Sequence, residues 1–255
     1  MAPSHKRDVP FLRNRELPVA MSELTARLSE NVAEVRRRIA AAAARAARDP
    51  DEITLVAVTK YVGPSETRAL FQSGCRVMGE SRPQQFWEKA ASLDDLPIRW
   101  HMVGHLQRNK VRRTLPLVEM IESVDDARLA DAVDRIAGEL SRRVPILLEV
   151  NVSGEEAKHG FDPQAIEPFF EELAGYGNLE VRGLMCMAAL AGGPEAARKD
   201  FARLRELRDR LRPNCPDAIS LDELSIGMSA DYETAIEEGA TIVRVGSALF
   251  RGVPR

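Results

Sequence analysis

A lysine at the end of a buried strand can act as a nucleophile, and Lys60 stands in that position. It closes the run Ile53-Thr54-Leu55-Val56-Ala57-Val58-Thr59, made of apolar and β-branched residues, and Gly63-Pro64 then turns the chain toward a helix. Burial disfavours the charged form of lysine, lowers its pKa and frees the amine. Such an amine condenses with an aldehyde to a Schiff base. The plainer alternative is a strand cap whose ammonium stays in water. A second chemistry is offered by Gly227-Met228-Ser229 and Gly246-Ser247. Glycine lets backbone approach a ligand closely, and serine can cap a helix and donate a hydroxyl, a combination that suits phosphate. Either group by itself reads first as an ordinary turn with an N-cap, and it is the two together, opposite the lysine, that suggest a phosphate cup. Arg244, two residues before Gly246 on the same strand, is expected to face the same interior region.

These residues need a frame to bring them together. Leu24, Leu28, Val32, Val35 and Ile39 recur at helical spacing, which predicts a helix over Ser22 to Arg48 ended by Asp49-Pro50. From Ile53 onward, strand and helix patterns alternate. Strands are expected at 53–59, 76–78, 98–103, 117–121, 145–150, 179–184, 219–225 and 241–245. The helices between them are expected at 65–72, 83–91, 109–115, 125–141, 163–175, 195–211 and 229–237. Eight strands alternating with helices in about 200 residues imply parallel pairing and a single closed (β/α)₈ barrel of the TIM type, with an extra N-terminal helix. An open doubly wound sheet is the alternative, but its G-x-G-x-x-G fingerprint does not follow the first strand.

In such a barrel the chemistry lies at the C-terminal ends of the strands. There stand Lys60, Glu80-Ser81, His105, Ser123, Asn151, Met185, Gly227-Met228-Ser229 and Gly246-Ser247. Loops after the last two strands commonly hold phosphate. A phosphate cup facing an amine suggests pyridoxal 5′-phosphate as cofactor.

Composition narrows the alternatives. The chain has 255 residues, 44% hydrophobic and 29% charged, and a net charge of −3, with no footprint for nucleic acid or an anionic membrane. No apolar run reaches the length of a membrane span. Residues 1–20 are polar and read as a disordered extension without a signal-peptide core, with Met21 as an alternative start, and residues 21–255 read as the barrel. Cys75, Cys186 and Cys215 have no zinc-type spacing and read as reduced thiols of a cytoplasmic protein. His5, His101, His105 and His159 are not grouped with carboxylates along the sequence, and no metal site is expected.

Several stretches carry a resemblance. Leu55 to Lys60, Gly79-Glu80-Ser81, the run Trp100 to Lys110 (WHMVGHLQRNK), the run Val150 to Gly160, Gly183-Leu184-Met185, the run Leu224 to Asp231 (LSIGMSAD) and Arg244-Val245-Gly246-Ser247 follow one another over roughly residues 30 to 252. In these the sequence resembles the pyridoxal phosphate homeostasis proteins. The resemblance implies a barrel like the N-terminal domain of alanine racemase, of fold type III among pyridoxal phosphate proteins, with Lys60 as the cofactor lysine. It implies that Gly227, Met228, Ser229, Gly246 and Ser247 hold the phosphate, with Arg244 near the ring nitrogen or the phosphate. Ser81 stands where the family has an asparagine near the ring, and Asn151 completes the implied set. The chain departs from the family pattern again at Glu149, where glutamine is frequent, and at His159, where serine is frequent.

The implied function is buffering or delivery of pyridoxal phosphate, with apo-enzymes that use it as partners, no catalysis of its own, and a monomer or weak homodimer as the expected state. An amino-acid racemase is the alternative. It needs acid and base groups on both faces of the substrate carbon, and the chain is expected to lack the second domain that supplies one of them in the related racemase. A cofactor-free Schiff-base aldolase is the third reading.

Overall fold

The computed structural model describes residues 19–155, 157–189 and 193–253. Most of the expected N-terminal extension therefore lies outside the described residues. The first helix, α1 (Val19–Arg45), precedes eight units: β1 (Thr54–Val58) and α2 (Pro64–Gln72), β2 (Val77–Glu80) and α3 (Pro83–Ser92), β3 (Arg99–Met102) and α4 (Val111–Thr114), β4 (Met120–Val124) and α5 (Ala127–Glu139), β5 (Val144–Glu149) and α6 (Ile166–Leu173), β6 (Leu179–Met185) and α7 (Gly193–Leu211), β7 (Ile219–Ser225) and α8 (Tyr232–Glu237), and β8 (Ile242–Val245). The strands pair in chain order, all parallel, and β8 closes on β1. The barrel reading thus holds over the open sheet.

The expected helix at 109–115 is shorter. It is a four-residue α4 between 3-10 turns at Arg108–Lys110 and Leu115–Leu117. Pro116 lacks the N–H that an α-helix would need there.

Helix α1 covers the seam where the barrel closes. Leu28, Val32, Val35, Ile39, Ala42 and Ala43 are buried along one face. Its other contacts are polar: Asn31 donates to the carbonyls of Leu249 and Arg251 near the end of the chain, and Arg48, just past the helix, donates to those of Ile236 and Ala240. Arg38 and Arg45 pair with Glu233 and Glu237 on α8. The burial contributes more than these half-exposed ion pairs, which are worth about 0–1 kcal/mol each.

Two cores result. The larger fills the layer between strands and helices. The smaller lies inside the barrel and includes Val56, Val77, Val103, Met120, Leu147, Met185 and Ile242. Alternation along each strand divides residues between them. Register then matters: Val56 lies opposite Arg244, so the inward row of β1 that ends at Lys60 runs beside the row Ile242, Arg244, Gly246 of β8.

Candidate functional site

At the C-terminal end of the barrel lies a cleft of about 590 Å³. Lys60, Ser81, Met228, Ser229, Arg244, Gly246 and Ser247 line it, with Val58, Val103 and Phe250 among its apolar walls. Asn151 is not among the lining residues. Its side chain folds into its own loop, donating to the Glu155 carbonyl at 2.8 Å and accepting from Ser153 Oγ and the Gly154 N–H, each at 3.1 Å. This local turn chemistry satisfies the amide and turns it from the strand end.

Lys60 is half-buried rather than enclosed, with Nζ 5.0 Å from the ring centroid of the exposed Tyr61. The fully buried lysine nearby is Lys89 of α3. Its Nζ donates to the Thr59 carbonyl at 2.7 Å and pairs with Glu80, and Thr59 Oγ1 donates to the same Glu80 oxygen at 2.7 Å. The two lysines divide the work: Lys89 is tied into the wall, and Lys60 faces the cleft.

Opposite, two loops meet on one hydroxyl. Ser229 Oγ accepts the N–H groups of Gly246 at 3.0 Å and Ala248 at 3.3 Å. Backbone N–H groups converging on an oxygen form a cradle for an anion. Gly227 gives the first loop its shape. Its φ is +88°, and a Cβ there would meet the Ala235 Cβ at 2.5 Å. The Asp231 carboxylate accepts the Met228 N–H at 2.6 Å, and burial pushes its carboxyl up while that bond opposes the rise. On the other side, Ser81 sits against Gly104, where a Cβ would come within 2.6 Å of the serine. The short side chain that replaces asparagine therefore lies in a tight corner.

Below the cleft the barrel interior carries a polar chain. His101 Nδ1 lies 2.6 Å from Glu122 Oε1, and Ser225 Oγ donates to Glu122 Oε2 at 2.6 Å. Arg244 donates to the Ser225 carbonyl and to the Cys186 carbonyl, each at 2.8 Å, and to Ser225 Oγ. Burial would raise the Glu122 carboxyl, but the His101 contact, the charge of Arg244 and the Ser225 hydroxyl hold it below the usual carboxylate range. Arg244 is fixed from β6 and β7, so its guanidinium is presented to the cleft floor in one orientation.

The expectation that the histidines lack carboxylates is corrected by the fold. His101 meets Glu122, and His105 and His159 both meet Asp125. These partners are 20 or more residues apart in sequence and adjacent only across neighbouring strand ends. The sequence reading missed Arg82 as a lining residue. It directly follows Ser81, which the sequence did identify, and that adjacency is the signal that could have found it; Tyr61, next to Lys60, lines the cleft as its place in the sequence suggests. The three cysteines are free, and burial pushes the Cys186 thiol up to about 12, so it stays protonated.

Fold and site together define a parallel (β/α)₈ barrel whose strand-one lysine faces a glycine–serine cup from the last two loops. The chain belongs to the alanine racemase N-terminal domain family, whose model matches residues 25–254. Among curated relatives, the pyridoxal phosphate homeostasis protein of Aquifex aeolicus is 41% identical over 221 residues, 87% of this chain and 96% of that one. The structure of PipY from Synechococcus elongatus, solved with pyridoxal phosphate bound, superposes with a TM-score of 0.78 at 35% identity, covering 88% of this chain and 99% of that one. Alanine racemase of Clostridium difficile shares the fold, with a TM-score of 0.70 at 14% identity over 88% of this chain and 56% of that one.

Proposed function

We propose that the protein binds pyridoxal 5′-phosphate in this cleft, attached through Lys60, and that it holds and hands on the cofactor in the cytoplasm without substantial turnover of its own. The observation that carries the reading is the placement of Lys60 and the Ser229–Gly246–Ser247 cup around one cleft of about 590 Å³, a size ordinary for a cofactor site. The donor set fits the group: a primary amine for an aldehyde, N–H and hydroxyl donors for a phosphate, and apolar walls for an aromatic ring. When bound, pyridoxal phosphate supplies an aldehyde carbon that combines reversibly with amines and can act as an electron sink.

The roles of the chain's own residues follow. Ser229 and Ser247 donate hydroxyls to the phosphate, and the N–H groups of Gly246 and Ala248, now gathered on Ser229 Oγ, add to the same charge. Met228 and Ser81 flank the ring. Arg244, held by Ser225 and Cys186, faces the ring nitrogen and disfavours its protonation. That setting weakens electron withdrawal and favours storage over catalysis. Asn151, in its loop, supports the shape of the rim.

The names of the curated relatives support storage over racemisation. The test is incubation of loaded protein with apo-enzyme and, in parallel, with single amino-acid enantiomers. Reconstitution of the apo-enzyme without chiral inversion is expected. Steady inversion above roughly 1 s⁻¹ that disappears in Lys60→Ala would establish a racemase instead.

A further inference from the structure

Two of the positions where this chain leaves its family's pattern, Glu149 and His159, lie around one acidic residue, Asp125: His159 contacts it, and Glu149 senses its charge. Asp125 follows β4 with its carboxylate buried. His105, in the loop after β3, places Nδ1 2.6 Å from Asp125 Oδ2. His159, in the loop after β5, places Nδ1 3.5 Å from the same oxygen. The two imidazoles stack with centroids 4.1 Å apart. One donor atom from each of the three side chains lies within 4.8 Å of the other two. Behind them, Glu149 ends β5 only 3% exposed; its backbone carbonyl accepts the Phe161 N–H at 2.7 Å, while its carboxylate has no hydrogen-bond or ion-pair partner among the described residues.

We propose that His105, Asp125 and His159 form a binding site for a divalent transition-metal ion of the zinc class, backed by the Glu149 carboxylate. Two imidazoles and a carboxylate are a donor set for Zn²⁺ and its neighbours. Metal–ligand bonds of about 2.0–2.2 Å separate ligand atoms by roughly 3–4 Å. The present separations run from 2.6 Å to at most 4.8 Å, so reaching that range takes shifts of roughly 1–2 Å, with the His105–Asp125 pair opening and the stacked imidazoles turning on their exposed sides, the two histidine side chains being 43% and 59% exposed.

Charge points the same way. Asp125 acts repulsively on the buried Glu149, which is close enough to sense both Asp125 and His105. A dication beside both carboxylates offsets that repulsion, whereas the histidines alone share a single oxygen of Asp125. The frequent family serine at 159 would remove one of the three donors. The site is therefore a property of this chain, at the rim of the cleft that His105 also lines.

The experiment is calorimetric titration of the full-length protein, without added pyridoxal phosphate, with ZnCl₂ near neutral pH, alongside visible absorption with CoCl₂. The wild type is expected to bind one Zn²⁺ and to give Co²⁺ ligand-field bands. His159→Ser and Asp125→Asn are each expected to weaken Zn²⁺ binding by at least about a hundredfold, the upper range for losing even a supporting partner, and to lose the Co²⁺ bands. His159→Ser changes an exposed side chain, and circular dichroism checks that it folds. No Zn²⁺ bound by the wild type, or binding unchanged in His159→Ser, overturns the proposal. Neither result touches cofactor binding at Lys60, which is read separately from cofactor absorbance.

Discussion

Lys89 Nζ donates to the carbonyl of Thr59 at 2.7 Å, one residue before Lys60. The ammonium is buried and pairs with Glu80, which is also buried. This ion pair pins the end of β1 against α3 and so fixes where the Lys60 side chain starts. Lys89→Met would strand the Glu80 carboxylate in the wall and cost about 3–5 kcal/mol. The double variant with Glu80→Gln should regain more than half of that. Urea unfolding of both variants checks the prediction, and equal losses would mean that the pair is incidental.

Lys60 is expected to carry the cofactor. Borohydride treatment of loaded protein followed by peptide mapping should find the stable adduct on Lys60, and an adduct on Lys110 or Lys158 would refute the assignment. Lys60→Ala should fold with wild-type stability, because the residue is half-buried and outside both apolar cores.

Ser229 and Ser247 are expected to bind phosphate. Alanine at either position removes a donor to a charged group, a loss of about 1.5–3 kcal/mol, or roughly ten- to a hundredfold in affinity. Pyridoxal, which lacks the phosphate, should bind the wild type and both variants almost equally. If the variants still prefer the phosphorylated form as strongly as the wild type does, the serines serve only as turn and cap. The expected cap is not Ser229, since α8 starts at Tyr232 with Asp231 at its N-cap; the alternative role of Ser229 is the bridge between the last two loops in its bonds to Gly246 and Ala248.

Glu149 should make the fold lose stability as pH rises. Burial, then the charge of Asp125, pushes its carboxyl up to about 7, against the opposing charges of Arg244 and His105. In the unfolded chain it titrates near 4.3. Between those values the folded form holds the proton and the unfolded form does not, so stability falls through that window and the full cost is present above it. Glu149→Gln should flatten that slope and raise stability at higher pH by on the order of 3 kcal/mol. Denaturant unfolding across the window, in the presence of a chelator, reads this directly. A wild-type slope in the variant would show that Glu149 ionises freely in the folded state.

Much was determined by the sequence alone, because the signals were local. Alternating strand and helix patterns needed no tertiary information, and they specified the eight-unit barrel. Lys60 was legible as a charge ending an apolar run, and Gly227, Ser229, Gly246 and Ser247 as turn residues after the last two strands. Their arrival in one cleft followed from the barrel rule that strand C-termini share a face.

Tertiary structure decided what depends on closure and register. His101, Glu122, Ser225 and Arg244 come from four strands, and each alone reads as an ordinary polar residue. Parallel closure turns them inward at one level, where hydrogen bonds must replace water. Asn151 stands at a strand end in the sequence, yet the bonds available within its own loop win its side chain. His105, Asp125 and His159 belong to three separate loops, and only the ring of strands brings them into contact. Linear spacing could not show that meeting, because the distance between loop tips is fixed by the circumference of the barrel and not by the number of residues between them.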